Sequence, residues 1–175
     1  MVPAILGEVD DATAELARSR HAEEYLQKKL IDHAEALPGA PELLRALRAR
    51  GVATALASSA KPDELARYLP SLGGAGAVDA IVTAQDVPTT KPAPHIFAVA
   101  LSRLGAPSRA LVVGDTVYDV EAAGKLGLPC VCLLTGGIER GTLLAAGAAR
   151  VLDDARAQAQ DLDAVLALEQ PAPRA

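Results

Sequence analysis

Two acids four residues apart are the first residues here that could do chemistry: Asp115 and Asp119, within residues 110–123, ALVVGDTVYDVEAA. An apolar run of strand length ends on Gly114-Asp115, and helix-prone residues come next. In an open α/β sheet, the residue just past the carboxyl end of a strand faces the crevice where ligands bind. If a turn and a first helical turn follow Gly114, both carboxylates reach one small volume. Convergent carboxylates suit a hard cation held through oxygen, most often magnesium. The same residues also have a plain structural reading. Asp115 then caps a helix with Thr116 beside it, and Asp119 is a favourable charge in the first helical turn.

Other strand ends supply partners for the pair. Ser58 follows the apolar run 52–57, and Lys91, in TTKPAP, follows a short strand expected near 80–83. A hydroxyl, an ammonium and a carboxylate pair on one sheet edge make a phosphate and magnesium site. The hydroxyl donates to a phosphoryl oxygen, the lysine neutralises developing charge, and the acids hold the metal. Taken singly, Ser58 reads as a turn residue with Ser59, and Lys91 as a solvated loop charge. Their occurrence at successive strand ends favours the joint reading. The order Ser58, Lys91, Asp115 also separates the chain from phospho-acceptor receivers, in which the acidic pair comes first and the lysine last.

These residues must be placed by a repeating scaffold. The pattern predicts a helix over 11–37 and a break at Pro38-Gly39. Helices follow over 41–50, 62–68, 95–104, 120–126 and 142–146, with a last one ending near 168. Between them lie strands over 52–57, 80–83, 110–113, 130–134 and 150–152. Helices alternating with short apolar runs indicate a parallel sheet with helices on both faces. The glycine-rich loop 73–76 is no phosphate cradle, since no Gly-Lys-Ser/Thr follows it. His21 and His33, on the first helix, read as surface or packing residues, and 169–175 reads as a disordered tail.

Composition narrows the class. The 175 residues suffice for one domain with a real core plus a small appendage. Half are apolar but only 2% are aromatic, so the core must be built from Ala, Val and Leu. A net charge of −5 without a basic run argues against nucleic acid or an anionic membrane as partner. No apolar stretch approaches membrane-spanning length and the first residues carry no secretion signal, so the expected compartment is the cytoplasm. Cys130 and Cys132 alternate along an expected strand, share a face, and are poorly placed to bond to each other. They read as small buried hydrophobes.

The segments ALASSAKPDEL, TTKPAPHIF and VVGDTVYDVEAA resemble the second, third and fourth motifs of the haloacid dehalogenase superfamily. The nearest group is the helical-capped phosphatases, similar to phosphoglycolate phosphatase and the β-phosphoglucomutase relatives. The resemblance implies a Rossmann-like α/β core over 38–168 and part of a helical cap over 1–37. It implies that Ser58 is the motif-two hydroxyl, Lys91 the motif-three lysine, and Asp115 and Asp119 the acids that bind Mg2+. A small phosphorylated metabolite is the implied partner. A dehalogenase is disfavoured, because that chemistry needs no metal and the Gly-Asp-x-x-x-Asp pattern resembles the metal-dependent branch.

One departure comes with the same resemblance. The family's first motif, Asp-x-Asp-x-Thr at the end of a strand, supplies the nucleophilic aspartate and an acid/base aspartate. Asp10-Asp11-Ala12-Thr13 has the wrong spacing, and Asp161-Leu162-Asp163 follows residues that read as helix. The chain is therefore expected to begin inside the cap, through an internal start at Met1 or a truncated gene, and to be inactive as given. The central strand, between those ending at Ser58 and Asp115, is then missing. Its absence exposes two long apolar edges, a route to a homodimer, or forces them to pair. The alternative is a non-catalytic phosphate- and magnesium-binding or regulatory domain. His95 stands where many relatives carry an acid.

Overall fold

The buried strand Cys130–Leu133 lies between two helical layers, and the rest of the core is arranged about it. The structure, a computed structural model, describes residues 35–89 and 91–169. The chain divides into two units between Glu35 and Ala36, and the strands and helices named below all belong to the second. The expected helix over 11–37 is described only at its last three residues. Asp10, Asp11, His21, His33 and residues 170–175 lie outside the described residues.

The elements run α1 (Ala40–Ala49), β1 (Ala55–Ala57), α2 (Pro62–Leu72), β2 (Ala80–Val82), α3 (His95–Arg103), β3 (Val112–Gly114), α4 (Val117–Gly124), β4 (Cys130–Leu133), α5 (Arg140–Ala146), β5 (Arg150–Leu152), α6 (Ala155–Gln160) and α7 (Leu162–Leu166). Every strand pairing is parallel. β1 pairs with β2, Leu56 opposite Ile81. β4 lies between β3 and β5, with Val113 opposite Val131 and Cys132 opposite Val151.

Alternation along β4 divides the core. Cys130 and Cys132 face a cluster with Val82, Ile96, Phe97, Val112, Val120 and Leu143. Leu133 faces the other way, onto Leu43, Ala155 and Leu162. Both faces are thus covered, as a parallel sheet requires. The two cysteines are free and buried, their sulfurs 3.8 Å apart, and the neighbouring thiol together with burial pushes the Cys130 thiol up. Among the described residues no helix is long and apolar enough to cross a membrane.

Among the described residues the sheet is interrupted. β1–β2 and β3–β4–β5 are separate ladders, so β1 and β3 neither pair directly nor share a described neighbour. The break falls where the resemblance sets the family's first strand. The open edges are three residues each rather than long, although Val113 on β3 is 41% exposed. The two pieces share one core, in which Ala55, Ala57 and Val82 pack with Val112 and Cys132 around Ile96 and Phe97 of α3.

Local chemistry sets the element ends. Gly39 takes φ 88° at the start of α1, and a Cβ there would lie 2.4 Å from Arg156 Cγ, so only glycine lets α1 start against α6. β1 starts at Ala55 rather than 52 because Thr54 turns to a side chain, its N–H donating to Asp79 Oδ2 at 2.8 Å. α2 runs past the expected 68 to Leu72, with Pro70 in its last turn, until Gly73 at φ 108° caps it. The expected last helix is two, broken at Asp161.

Candidate functional site

Because all strands are parallel, their carboxyl ends lie on one edge, and the loops leaving β1, β2 and β3 carry Ser58, Lys91 and Asp115 there. α4 begins at Val117, three residues before the position expected from the sequence. Its N-cap is Thr116, whose Oγ1 accepts from the Asp119 backbone N–H at 3.3 Å and donates to Asp119 Oδ2 at 2.7 Å. This is a capping box, and it turns the Asp119 side chain back towards the strand end.

Asp119 is buried and fully engaged. Oδ2 accepts from Thr116 Oγ1 and from the backbone N–H groups of Thr116 (3.1 Å) and Asp115 (3.3 Å). Oδ1 accepts from Lys91 Nζ at 2.8 Å. Burial alone would raise this carboxyl. The Lys91 charge and hydrogen bond, with those from Thr116 and the Asp115 backbone, outweigh it and hold Asp119 below the ordinary carboxylate range. The plain structural reading of Asp119 as a first-turn acid is thus realised, and the side chain also carries an ion pair with Lys91 that was not expected from the sequence.

Asp115 is in the opposite condition. Burial first, then the Asp119 charge, push its carboxyl above the ordinary range, and Lys91 only partly opposes them. Two carboxylates share one ammonium, leaving the trio one negative charge in excess. Lys91 also lies over the Phe97 ring, 5.6 Å from its centroid.

Two glycines shape this volume. A Cβ on Gly114 would lie 2.4 Å from Asp119 Cβ, and one on Gly136 would lie 2.6 Å from the Asp115 carbonyl oxygen and 2.8 Å from Asp115 Oδ2. Neither glycine was legible as a site residue.

The structure thus brings Lys91, Asp115 and Asp119 together. Ser58 stands apart from this network: its N–H donates to Val82 O at 2.9 Å, prolonging the β1–β2 ladder, and its Oγ accepts from Ala60 N–H at 3.1 Å. This is the turn-residue geometry, and accepting that bond uses none of the hydroxyl's donor capacity. The Asp161 and Asp163 pair lies elsewhere. Asp161 is paired with Arg150 at the start of β5, and Asp163 with Arg50 at 3.2 Å.

The trio combines one ammonium with two carboxylates at the strand ends. Asp119 has both oxygens engaged in hydrogen bonds, whereas no hydrogen bond or ion pair from another described residue reaches the Asp115 side-chain oxygens. Among the described residues no group of three or more His, Cys, Asp or Glu side chains is placed to hold a metal ion.

Comparison with known proteins bears on the family and the fold. The family model described as haloacid dehalogenase-like hydrolase matches residues 4–127. A phosphoglycolate phosphatase of Rhodospirillum rubrum is 36% identical over 154 residues, covering 85% of this chain and 63% of that protein. A validoxylamine A 7'-phosphate phosphatase of Streptomyces hygroscopicus is 33% identical over 128 residues, covering 73% of this chain and 57% of that protein. The crystal structure of a hydrolase from Pseudomonas syringae superimposes with a TM-score of 0.81 at 34% identity, covering 95% of this chain and 79% of that one. The chain therefore spans about three fifths of the curated relatives' length, and with its motif order, parallel sheet and acid–lysine cluster it belongs to the haloacid dehalogenase-like hydrolases.

Proposed function

We propose that the complete protein hydrolyses a small phosphomonoester, giving an alcohol and inorganic phosphate, with Lys91, Asp115, Asp119 and Ser58 as its phosphate and cation site. The observation that carries this is the three-membered cluster itself: one ammonium held by one carboxylate, beside a second carboxylate at the end of β3.

Lys91 neutralises charge on the phosphoryl oxygens, held in place by Asp119. Ser58 donates its hydroxyl to a phosphoryl oxygen from the end of β1. Asp115 holds Mg2+ as a ligand, and Asp119 completes the acid pair by fixing the Asp115–Thr116 backbone and the lysine. When bound, that ion supplies charge neutralisation at the phosphoryl group. The phosphatases among the relatives support the reaction class, and the Rhodospirillum and Streptomyces proteins differ in the substrates their names give.

Asp161 and Asp163, which have the spacing of the family's first motif, are each paired with an arginine, Arg150 and Arg50. We therefore expect no turnover from the 175 residues alone. The cytoplasm is the compartment this reading assumes, and any homodimer would form through the open edges of β1 and β3.

The test is p-nitrophenyl phosphate hydrolysis with Mg2+ by two proteins. One is the chain itself. The other is the chain preceded by the strand ending in Asp-x-Asp-x-Thr and the cap from an active phosphatase of the family. Activity in the second only, lost in Asp115→Asn and Lys91→Met, supports the proposal. Activity in the chain alone refutes the need for a further acid, and an inactive second protein counts against the phosphatase reading.

A further inference from the structure

Two contacts beside Lys91 lie outside the acid–lysine cluster. Lys125, the residue that caps the carboxyl end of α4, donates from Nζ to the Pro92 carbonyl oxygen at 3.1 Å. On the other side, Thr89 Oγ1 lies 2.7 Å from His95 Nδ1. That bond joins the residue two before Lys91 to the first residue of α3. α4 therefore grips the Lys91-Pro92 pair twice: Asp119 in its first turn holds the ammonium, and Lys125 at its end holds the adjoining backbone.

The grip matters because of the break in the sheet. Lys91 follows β2, Asp115 and Asp119 follow β3, and these strands belong to different ladders. Among the described residues no run of strand hydrogen bonds sets the spacing between the lysine's loop and α4. A lysine is a point charge on a four-carbon stem, so its effect on a phosphoryl group depends on where its backbone is held. We infer that Lys125 and His95 are positioning residues for Lys91, Lys125 through the Pro92 carbonyl and His95 through the Thr89 hydroxyl. His95 thereby acquires a role that an acid at the same position could fill, since either side chain can accept from the threonine hydroxyl.

The inference concerns the site of the proposed phosphatase and rests on that reading only for what Lys91 serves, so its test uses no substrate. Competitive acetylation with acetic anhydride, resolved by peptide mass spectrometry, gives the labelling rate of Lys91 relative to exposed Lys61 in the 175-residue chain. Lys125→Met and Thr89→Val should each raise the Lys91 rate about fivefold, the factor one ordinary hydrogen bond is worth. Lys125→Arg and Thr89→Ser, which restore a donor or a hydroxyl, should return it to within about twofold of the parent. An unchanged Lys91 rate in either deletion, or no rescue, overturns the inference. So does a rise shared equally by Lys61, which marks general loosening. A failed phosphatase assay leaves the labelling result standing.

Discussion

The Lys91 ammonium lies 2.8 Å from one carboxylate oxygen of Asp119, whose other oxygen accepts from Thr116 and from the backbone of Asp115 and Thr116. One side chain thus caps a helix, orders the turn that carries Asp115, and anchors a lysine from the other half of an interrupted sheet. Removing it should cost more than an exposed ion pair. Asp119→Asn leaves the mostly buried Lys91 charge without its partner and is expected to lower stability by about 3 kcal/mol in urea denaturation. Combining it with Lys91→Met should cost less than the sum of the single changes, because each variant breaks the same pair.

Asp115→Asn should behave in the opposite way. The folded protein raises the Asp115 pKa, so the fold favours the protonated acid. That preference is present below the unfolded pKa of about 3.9 and is lost as pH rises through the folded value. At neutral pH without divalent cations the ionised carboxylate is disfavoured by its surroundings, and the asparagine variant should melt at or above the parent's temperature. Below about pH 3 the two should melt together. Added magnesium should stabilise the parent and leave the variant unmoved.

Acid should loosen the fold through groups whose pKa values are lowered. Asp86 is held at about 2 by the Thr83 backbone hydrogen bond first and by Arg103 next, and Asp119 is lowered by Lys91 and Thr116 against its burial. Each contributes stability above its unfolded pKa, near 3.9, that is lost as pH falls through its folded value. Asp86→Asn should therefore flatten the dependence of the urea midpoint on pH between about 4 and 2, with little change in slope above about pH 5.

The close approaches at Gly114 and Gly136 give a steric test. Gly114→Ala places a methyl 2.4 Å from Asp119 Cβ, and Gly136→Ala places one 2.6 Å from the Asp115 carbonyl oxygen. Each should lose about 1–3 kcal/mol by thermal denaturation. Gly73→Ala, whose Cβ has 3.5 Å of room but whose φ is 108°, is the control for backbone strain without crowding.

The scaffold was legible because its signals are local. Strand-length apolar runs ending in Ser58 or Gly114-Asp115, alternating with helical stretches, announce a parallel sheet. The short strand 150–152 is present as expected. Boundaries failed where a side chain overrode the pattern. Asp79 draws Thr54 away from β1, and the Thr116 capping box starts α4 three residues early. That Lys91 and Asp119 both follow strand ends was legible, but their pairing across two ladders and the division of labour between the two acids were not. Asp115 and Asp119 are both aspartates and differ in their burial and in which hydrogen-bond donors the fold brings to each. Thr89, His95 and Lys125 were invisible as a set because their contacts depend on how the lysine's loop lies against two helices.

The most direct measurement is calorimetric titration of the chain with inorganic phosphate, with and without Mg2+, for the parent, Asp115→Asn and Lys91→Met. Phosphate binding that needs the cation in the parent, and is lost in both variants, is the predicted result. Binding of equal strength in the parent and Asp115→Asn, or binding indifferent to Mg2+, would contradict the assignment of this cluster as a phosphate and cation site.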